Sequence, residues 1–184
     1  ALPICATVDL VVGAVIDVWY GTEQTFGTPG EAQRWVNILG NVDPNEVVRL
    51  TYSLNGGPER ALSLGPDTRR LQEPGDFNVD LLFENLDPGP ADDVVTLRAT
   101  LSSGAVATEE VTIDYEGDQR WPTDYAIDWE TVTDLQQVTQ VVDGLWSVSP
   151  DGVRLDQTGY DRFVALGDEH WDNYETQLSV TMHD

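Results

Sequence analysis

Short runs in which apolar and polar residues alternate recur along the first 115 residues, and clusters of Gly, Pro, Asn and Asp separate them. In the run FNVDLLFENL at 77–86, an apolar residue occupies every second position from Phe77 to Phe83. A period of two places these side chains on one face of a β-strand. Residues 31–38 are the best helix candidate, but WVNILGNV at 35–42 is more typical of a strand ending in a turn. The pattern therefore predicts an all-β protein.

Seven such runs lie in the first part of the chain, at roughly the 8–12-residue spacing of a β-sandwich. Asn55-Gly56 supplies the positive φ angles of a two-residue hairpin turn, and Ser102-Ser103-Gly104 marks a second hairpin. This number of strands suits a small antiparallel β-sandwich. The predicted strands are 14–20, 34–40, 46–54, 59–64, 77–86, 93–101 and 105–115.

An acidic stretch at 116–128 interrupts the pattern and is predicted to be a linker or an irregular crossover. Residues 129–138 are ambiguous, and β-type runs then resume at 144–148, 152–157, 162–166 and 174–182. The last run, YETQLSVTM, alternates well, so one of its faces should be buried. We therefore expect an apolar segment at 1–13, a β-sandwich at 14–115, the linker at 116–128 and a second β-domain at 129–184.

The segments LTYSLNGG, GDFNVDLLFENLDPG and DDVVTLRATLSSGAVATEEVTIDY resemble bacterial immunoglobulin-like or cadherin-like β-sandwich modules over about 100 residues. The cysteine pair of antibody domains and the calcium-binding motifs of true cadherins are absent from the sequence. The resemblance therefore implies a type of module, and it implies no activity and no metal ligand.

The segment DGLWSVSPDGVRLDQTGYDRFVALGDEHWDNYETQLSVTMHD resembles the opening part of a concanavalin-A-like (laminin-G-like) jelly roll. This resemblance implies a sugar- or polymer-facing β-sandwich, often joined to a catalytic or adhesive protein. Even a minimal sandwich takes about 100 residues, so the jelly roll would be incomplete. Three explanations stay open: the chain is a fragment, a neighbouring subunit adds the missing strands, or the C-terminal strands join the first sandwich.

Acidic residues outnumber basic residues by 33 to nine, which gives a net charge of −24, and every basic residue is Arg. Such a surface repels nucleic acids and anionic lipids. Salt screens the self-repulsion, because the Debye length falls from about 8 Å at physiological ionic strength to about 3 Å in molar salt. The composition therefore indicates a protein suited to salty surroundings and disfavours binding to nucleic acid or to a membrane surface.

Cys5 is the single cysteine, so no intrachain disulfide is possible. It lies in an apolar opening that Asp9 and Asp17 interrupt, and this run is too short to span a bilayer. The first residue is not Met, which is compatible with a processed secreted chain or with a segment of a longer one. We therefore expect an extracellular or cell-surface protein without a membrane span.

The stretch GDEHWDNYE joins two predicted strands, so its acidic residues should lie in a loop. This loop offers the hard oxygen ligands that calcium prefers, although their spacing differs from that of the EF-hand loop. The candidate ligands for Ca²⁺, the one cofactor that the sequence indicates, are Asp168, Glu169, Asp172 and Asn173. The alternative is a solvated acidic turn packed on Trp171.

Aromatic residues can stack on sugar rings, although most of the six Trp should lie in the core. Trp121 and Trp129 flank the least regular stretch and are the candidates for a carbohydrate-binding platform. Glycoside hydrolysis needs two carboxyl groups held about 5–10 Å apart, and the Glu-x-Asp-x-x-Glu strand of jelly-roll glycosidases is absent from the sequence. Neither a Gly-rich phosphate loop nor a Gly-x-Ser-x-Gly motif occurs. The sequence thus predicts a protein that is not an enzyme.

The leading hypothesis is a non-catalytic secreted or cell-surface β-sandwich protein that adheres to extracellular polymer, with carbohydrate favoured. A structural subunit of an extracellular filament or surface layer, assembled by strand exchange, is the first alternative. An accessory region of a secreted carbohydrate-active enzyme is the second. The expected partner is an extracellular polysaccharide or a neighbouring protein chain that completes the C-terminal sheet.

Overall fold

The computed structural model describes residues 14–87, 92–117, 119–168 and 170–181. Strands account for 41% of the described residues and helical turns for 4%, and no helix among them reaches seven residues. The all-β prediction is therefore confirmed. The described part of the chain also holds no helix with the length and apolar character that crossing a membrane requires. The predicted apolar segment at 1–13, which contains Cys5, lies outside the described residues.

The described residues contain twelve strands and two single-turn 3₁₀ helices. The strands are β1 Ile16–Val18, β2 Glu23–Phe26, β3 Trp35–Val42, β4 Val47–Leu54, β5 Arg60–Ala61, β6 Asp76–Leu82, β7 Asp93–Leu101, β8 Val106–Tyr115, β9 Gln140–Asp143, β10 Trp146–Ser149, β11 Gly152–Leu155 and β12 Phe163–Ala165. The 3₁₀ helices span Phe83–Asn85 and Leu135–Gln137. Each of the seven strands predicted for 14–115 overlaps an observed strand, namely β1 and β3 to β8.

The first eight strands form two sheets that share one hydrophobic core. One sheet has the order β1-β3-β6 and is antiparallel throughout. The other has the order β2-β8-β7-β4-β5, in which β2 runs parallel to β8 while the other neighbours are antiparallel. The result is a β-sandwich-like arrangement in which the two consecutive strands β1 and β2 belong to different sheets.

The core of this sandwich consists of the inward-facing residues of strands in which inward-facing and outward-facing side chains alternate. On β6, Phe77, Val79 and Leu81 are at most 3% exposed, as the period of two predicts. The opposite sheet contributes residues that are fully buried: Val95, Leu97, Ala99, Val111 and Ile113. Burying a large apolar side chain contributes about 1.5–3 kcal/mol, so this core is the main source of stability for the sandwich.

Two features of the sandwich depend on glycine. Asn55 and Gly56 have φ angles of 50° and 68° at the β4–β5 turn, as the Asn-Gly signature predicts. A Cβ at Gly40 of β3 would lie 2.2 Å from the backbone oxygen of Asp17 and 2.5 Å from Cζ of Phe77. Glycine at position 40 therefore lets both β1 and the Phe77 ring approach β3 closely.

The turn Leu135–Gln137 and the strands β9–β12, which we call the C-terminal layer, pack on the outer face of the β1-β3-β6 sheet. Within the described residues, β9 pairs only with β12 and β10 only with β11, so the layer extends neither sheet of the sandwich. The contact depends on Leu39, which points away from the core residue Ile38 and packs on Leu135 and Val141. Ile38 and Leu39 are at most 1% exposed, so β3 is buried on both faces.

Several segments differ from the sequence prediction, and one is Phe83–Asn85, which forms a 3₁₀ helix although it lies in the strand predicted at 77–86. The pattern indicates no strand at β2 or β9, because each is four residues long and buries a glutamine, Gln24 or Gln140, where alternation calls for an apolar residue. The strand predicted at 174–182 is wrong for the described residues 174–181, which form no strand. Leu178 and Val180 in this segment are 70% and 72% exposed. Alternation suits a segment to a sheet, but a strand also needs a neighbour that satisfies its backbone hydrogen bonds.

Candidate functional site

The predicted calcium-binding loop is a turn built around Asp168. Its carboxylate accepts hydrogen bonds from the backbone N–H groups of Trp121 at 3.2 Å and His170 at 2.9 Å, and the guanidinium of Arg120 lies 3.7 Å away. The backbone N–H of Trp171 donates to the carbonyl oxygen of Asp168. The Asp168 side chain is only 6% exposed, so its two oxygens hold the turn against the segment that contains Trp121.

The other candidate calcium ligands do not join this carboxylate in a cluster that the structure describes. Asp172 and Asn173 are exposed, and Glu169 lies outside the described residues. No group of three or more His, Cys, Asp or Glu side chains that could hold a metal ion occurs in the described part of the chain. Calcium binding by Asp168, Glu169, Asp172 and Asn173 therefore stays a prediction.

The two tryptophans predicted to form a carbohydrate platform differ in their surroundings. Trp121 is 2% exposed and meets Tyr125 edge-on, with the ring centroids 5.6 Å apart. Trp129 is partly buried and packs against the cluster around Leu39. Burial thus places Trp121 in the packing of the predicted linker, where it offers no open ring face. Carbohydrate binding through Trp129 stays a prediction.

A different site lies where the C-terminal layer meets the outer face of the β1-β3-β6 sheet. This space, which we call the interlayer cleft, is open to solvent and has a volume of about 570 Å³, within the range of about 300–1,000 Å³ that is usual for ligand sites. Its walls come from the segments before β3 and β6, from β3 and β6 themselves, and from β9 and β12. The lining residues are Gln33, Trp35, Asn37, Arg70, Asp80, Val142, Asp143, Asp161 and Phe163.

Two aromatic rings line the interlayer cleft and stay open to solvent. Trp35, the first residue of β3, is 43% exposed, and Phe163, the first residue of β12, is 57% exposed. The next residue on β3, Val36, points into the core, so Trp35 must point outward. Most large aromatic side chains are well buried. Two open rings beside one cleft therefore mark a surface suited to a ligand with apolar faces.

Polar side chains in the same cleft hold one another in fixed orientations. The Gln33 amide donates to Oδ1 of Asn37 at 2.6 Å, and Nδ2 of Asn37 donates to Oδ1 of Asp80 at 2.5 Å. Asn37 and Asp80 are register partners on β3 and β6, which brings them together on the outer face. Nη1 of Arg70 donates to Oδ1 of Asp80 at 3.2 Å. Amide, carboxylate and guanidinium groups are therefore pre-ordered along the wall of the cleft.

A buried ion pair, formed by Asp143 and Arg162, holds Arg70 in position. Nε of Arg70 donates to Asp143 at 3.1 Å, and Nη1 of Arg162 donates to the other oxygen of Asp143 at 2.9 Å. Nη1 of Arg162 also donates to the backbone oxygen of Arg70 at 2.8 Å. The side chains of Asp143 and Arg162 are each 4% exposed. Burial raises the pKa of the Asp143 carboxyl above its usual value, and the two arginines oppose that rise.

The interlayer cleft is chemically suited to a ligand that has both apolar faces and hydroxyl groups. The rings of Trp35 and Phe163 offer packing surface, and Gln33 and Asp80, which are not fully buried, offer hydrogen-bonding groups. Asn37 is only 3% exposed and bonds to both, so it holds them in position. The charge of Arg70 is already matched by Asp80 and Asp143. The arrangement therefore favours a neutral ligand over an anion.

The sequence prediction missed this cleft because its residues come from separated segments of the chain. Each signal is weak on its own: Trp35 opens an apolar strand, and Asn37 and Asp80 occupy outward positions in alternating runs. Only the β3–β6 register places Asn37 opposite Asp80, and neither run alone specifies that register.

A comparison of the chain with protein-family models finds no match, and a comparison with curated protein sequences finds none either. Fold and site together define an all-β, β-sandwich-like protein whose C-terminal layer forms an aromatic-lined cleft on the outer face of one sheet.

Proposed function

We propose that this chain is a non-catalytic carbohydrate-binding protein of an extracellular or cell-surface setting, and that the interlayer cleft holds the sugar. The observation that carries the proposal is the position of Trp35 and Phe163 beside the ordered side chains of Gln33, Asn37 and Asp80. The C–H-lined faces of a pyranose ring pack on the negative faces of aromatic rings. Its hydroxyl groups pair with amides and carboxylates.

A neutral polysaccharide fits the charge of the protein better than an anionic one. The net charge of −24 repels anionic polymers at a distance. Inside the cleft, Arg70 already pairs with Asp80 and Asp143, so an anionic sugar would have to compete for its guanidinium. Both considerations favour a polymer without carboxylate or sulfate groups.

We also propose that residues 14–115 form an immunoglobulin-like module, and the sheet topology supports this assignment. In such domains the strands named A, B and E share one sheet, and C, F and G share the other. Here β1, β3 and β6 share one sheet, and β4, β7 and β8 share the other, in the corresponding chain order. The concanavalin-A-like assignment of 129–184 rests on the sequence resemblance alone and stays a prediction.

A glycan array followed by isothermal titration in high salt, with and without calcium, tests the proposal. We expect at least one neutral polysaccharide to bind, and Trp35→Ala and Phe163→Ala each to weaken binding by about tenfold, which corresponds to about 1.4 kcal/mol. Tyr174→Ala is the matched control, because Tyr174 is 66% exposed and lies outside the cleft. A silent array, or equal affinities for all three variants and the parent protein, contradicts the proposal.

One observation favours a second function, that of a structural subunit assembled by strand exchange. Residues 174–181 alternate in sequence, lie in no sheet, and expose Leu178 and Val180. Such a segment can add to a sheet edge of a second copy of the chain. Sedimentation velocity should then show oligomers that the double variant Leu178→Asp/Val180→Asp abolishes. A monodisperse monomer at every salt concentration excludes this function.

The interlayer cleft would also serve an accessory region of a secreted carbohydrate-active enzyme. This version of the proposal requires a catalytic portion in the same parent protein. The intact mass of the native protein distinguishes it, because a native protein no larger than this chain of 184 residues would exclude it.

A further inference from the structure

We infer that the ligand is an internal stretch of a neutral polysaccharide chain, because a second cleft adjoins the interlayer cleft at the Arg70–Asp80 ion pair, whose two side chains line both clefts. This inference rests on the proposed function and narrows its ligand. A site for a chain end would be closed beyond its terminal sugar. A groove that continues on both sides of a central contact suits the middle of a chain.

The second cleft, which we call the polar cleft, encloses about 320 Å³ and is lined in part by Tyr52, Ser63 and Asp67. Arg70 and Asp80 line both clefts. Their side chains meet at 3.2 Å and are 31% and 47% exposed, so the ion pair forms an open boundary that a ligand can contact from either side.

The strand β6 contributes lining residues to both clefts. Asn78 and Asp80 are two residues apart on β6, so both point to the outer face of the sheet. Asp80 contributes to the interlayer cleft and to the polar cleft, whereas Asn78 contributes to the polar cleft only. Along β6 the lining therefore passes from the interlayer cleft at Asp80 to the polar cleft at Asn78, and the polar cleft is also lined by Ala61 of β5.

Asn78 also provides an unused acceptor. Its Nδ2 donates to Oδ1 of Asp80 at 2.8 Å, while its Oδ1 is buried and has no partner among the described residues. A buried acceptor without a partner costs about 1–3 kcal/mol. Asn78 lines the polar cleft, so rotation of its amide towards the cleft would let a sugar hydroxyl donate to this oxygen. The two clefts thus differ in chemistry: the interlayer cleft combines two exposed aromatic rings with polar groups, whereas the polar cleft offers mainly hydrogen-bonding groups.

The test is a titration with neutral gluco-, manno- and xylo-oligosaccharides of graded length, from two units to six. For the series that binds, we expect the affinity to rise at least about tenfold between the shortest and the longest member. Ser63→Trp places a bulky side chain in the polar cleft at an exposed position. This variant should bind the longest member only as tightly as the shortest one, and it should leave the affinity for the shortest unchanged.

Ser102→Trp is the matched control, because Ser102 is an exposed serine that lines neither cleft. Trp35→Ala should weaken binding of every length, since the aromatic part of the groove serves them all. An affinity that does not depend on length, or an equal effect of Ser63→Trp on short and long members, overturns this inference and leaves the proposed function standing. Failure of every oligosaccharide and polysaccharide to bind overturns both.

Discussion

Asp143 and Arg162 form a buried ion pair whose two members should contribute unequally to stability. Asp143 is bound by two arginines, with Nη1 of Arg162 at 2.9 Å and Nε of Arg70 at 3.1 Å. Arg162 uses only Nη1, whereas its buried Nε and Nη2 have no partner among the described residues. Removing the carboxylate should therefore be much more harmful than removing the Arg162 guanidinium.

The magnitudes follow from these contacts. Asp143→Ala leaves the buried guanidinium of Arg162 without its counter-charge, which should cost about 3–5 kcal/mol. Arg162→Met loses two hydrogen bonds of about 1.5–3 kcal/mol each, but it also removes two unpaired donors whose burial costs about 1–3 kcal/mol each. Asp143 keeps its contact with Arg70 in that variant. At the middle of these ranges the losses and gains nearly cancel, so the destabilisation by Arg162→Met should be about 1 kcal/mol and smaller than that by Asp143→Ala.

Urea unfolding followed by tryptophan fluorescence in high salt measures both changes, provided that the dependence of the unfolding free energy on urea stays the same. Arg98→Met is the control: its contact with Glu59 is 3.8 Å long and about half exposed, so its loss should change stability by less than about 1 kcal/mol. Equal losses for Asp143→Ala and Arg162→Met, or a larger loss for Arg162→Met, would refute this reasoning.

Three further predictions concern pH, metal and salt. The usual pKa of a tyrosine is about 10, and burial raises the pKa of Tyr20 well above that value. Above pH of about 10 the unfolded state therefore loses the phenol proton first, so the free energy of unfolding should fall as the pH rises, and Tyr20→Phe should flatten that fall in urea titrations. If the loop at 168–173 binds calcium, EDTA should lower the melting midpoint and Asp172→Asn should abolish the difference; equal midpoints with calcium and with EDTA count against the site. Because the net charge is −24, sodium chloride at about 1 M should raise the melting midpoint, and an unchanged midpoint would show that self-repulsion is not limiting.

The sandwich was predictable wherever a strand has one buried and one exposed face. In β6 the alternate residues Phe77, Val79 and Leu81 are buried, as are the alternate residues 93–99 of β7. The predicted run at 93–101 coincides with β7, whereas the run at 77–86 continues four residues beyond β6 into the 3₁₀ helix Phe83–Asn85. β9 buries residues on both sides, including Gln140, whose side-chain amide bonds to the backbone oxygen of Trp35. A strand that satisfies a buried polar side chain through a distant backbone group carries no sequence period that would reveal it.

The interlayer cleft was harder to predict than the strands around it. Sequence gives the residue types of Trp35 and Phe163 but not their exposure, which depends on how the C-terminal layer lies against β3. Aromatic residues are buried more often than exposed, so the sequence predicts most Trp, including Trp35, in the core. Trp121 is a candidate for exposure because it flanks the least regular stretch. The structure has the reverse order of exposure, 43% against 2%. Such differences arise from tertiary packing, which local patterns do not encode.

Because β3 is buried on both faces, the sandwich at 14–115 cannot be moved into another protein without a change at its outer face. A chimera that carries residues 14–115 alone would present Leu39 to water instead of to Leu135 and Val141, and the exposed apolar surface would promote association. Transplanting the first eight strands into another polypeptide would thus call for a polar residue at position 39. If another domain replaces the C-terminal layer on this face, that domain must supply apolar side chains that bury Leu39 as Leu135 and Val141 do.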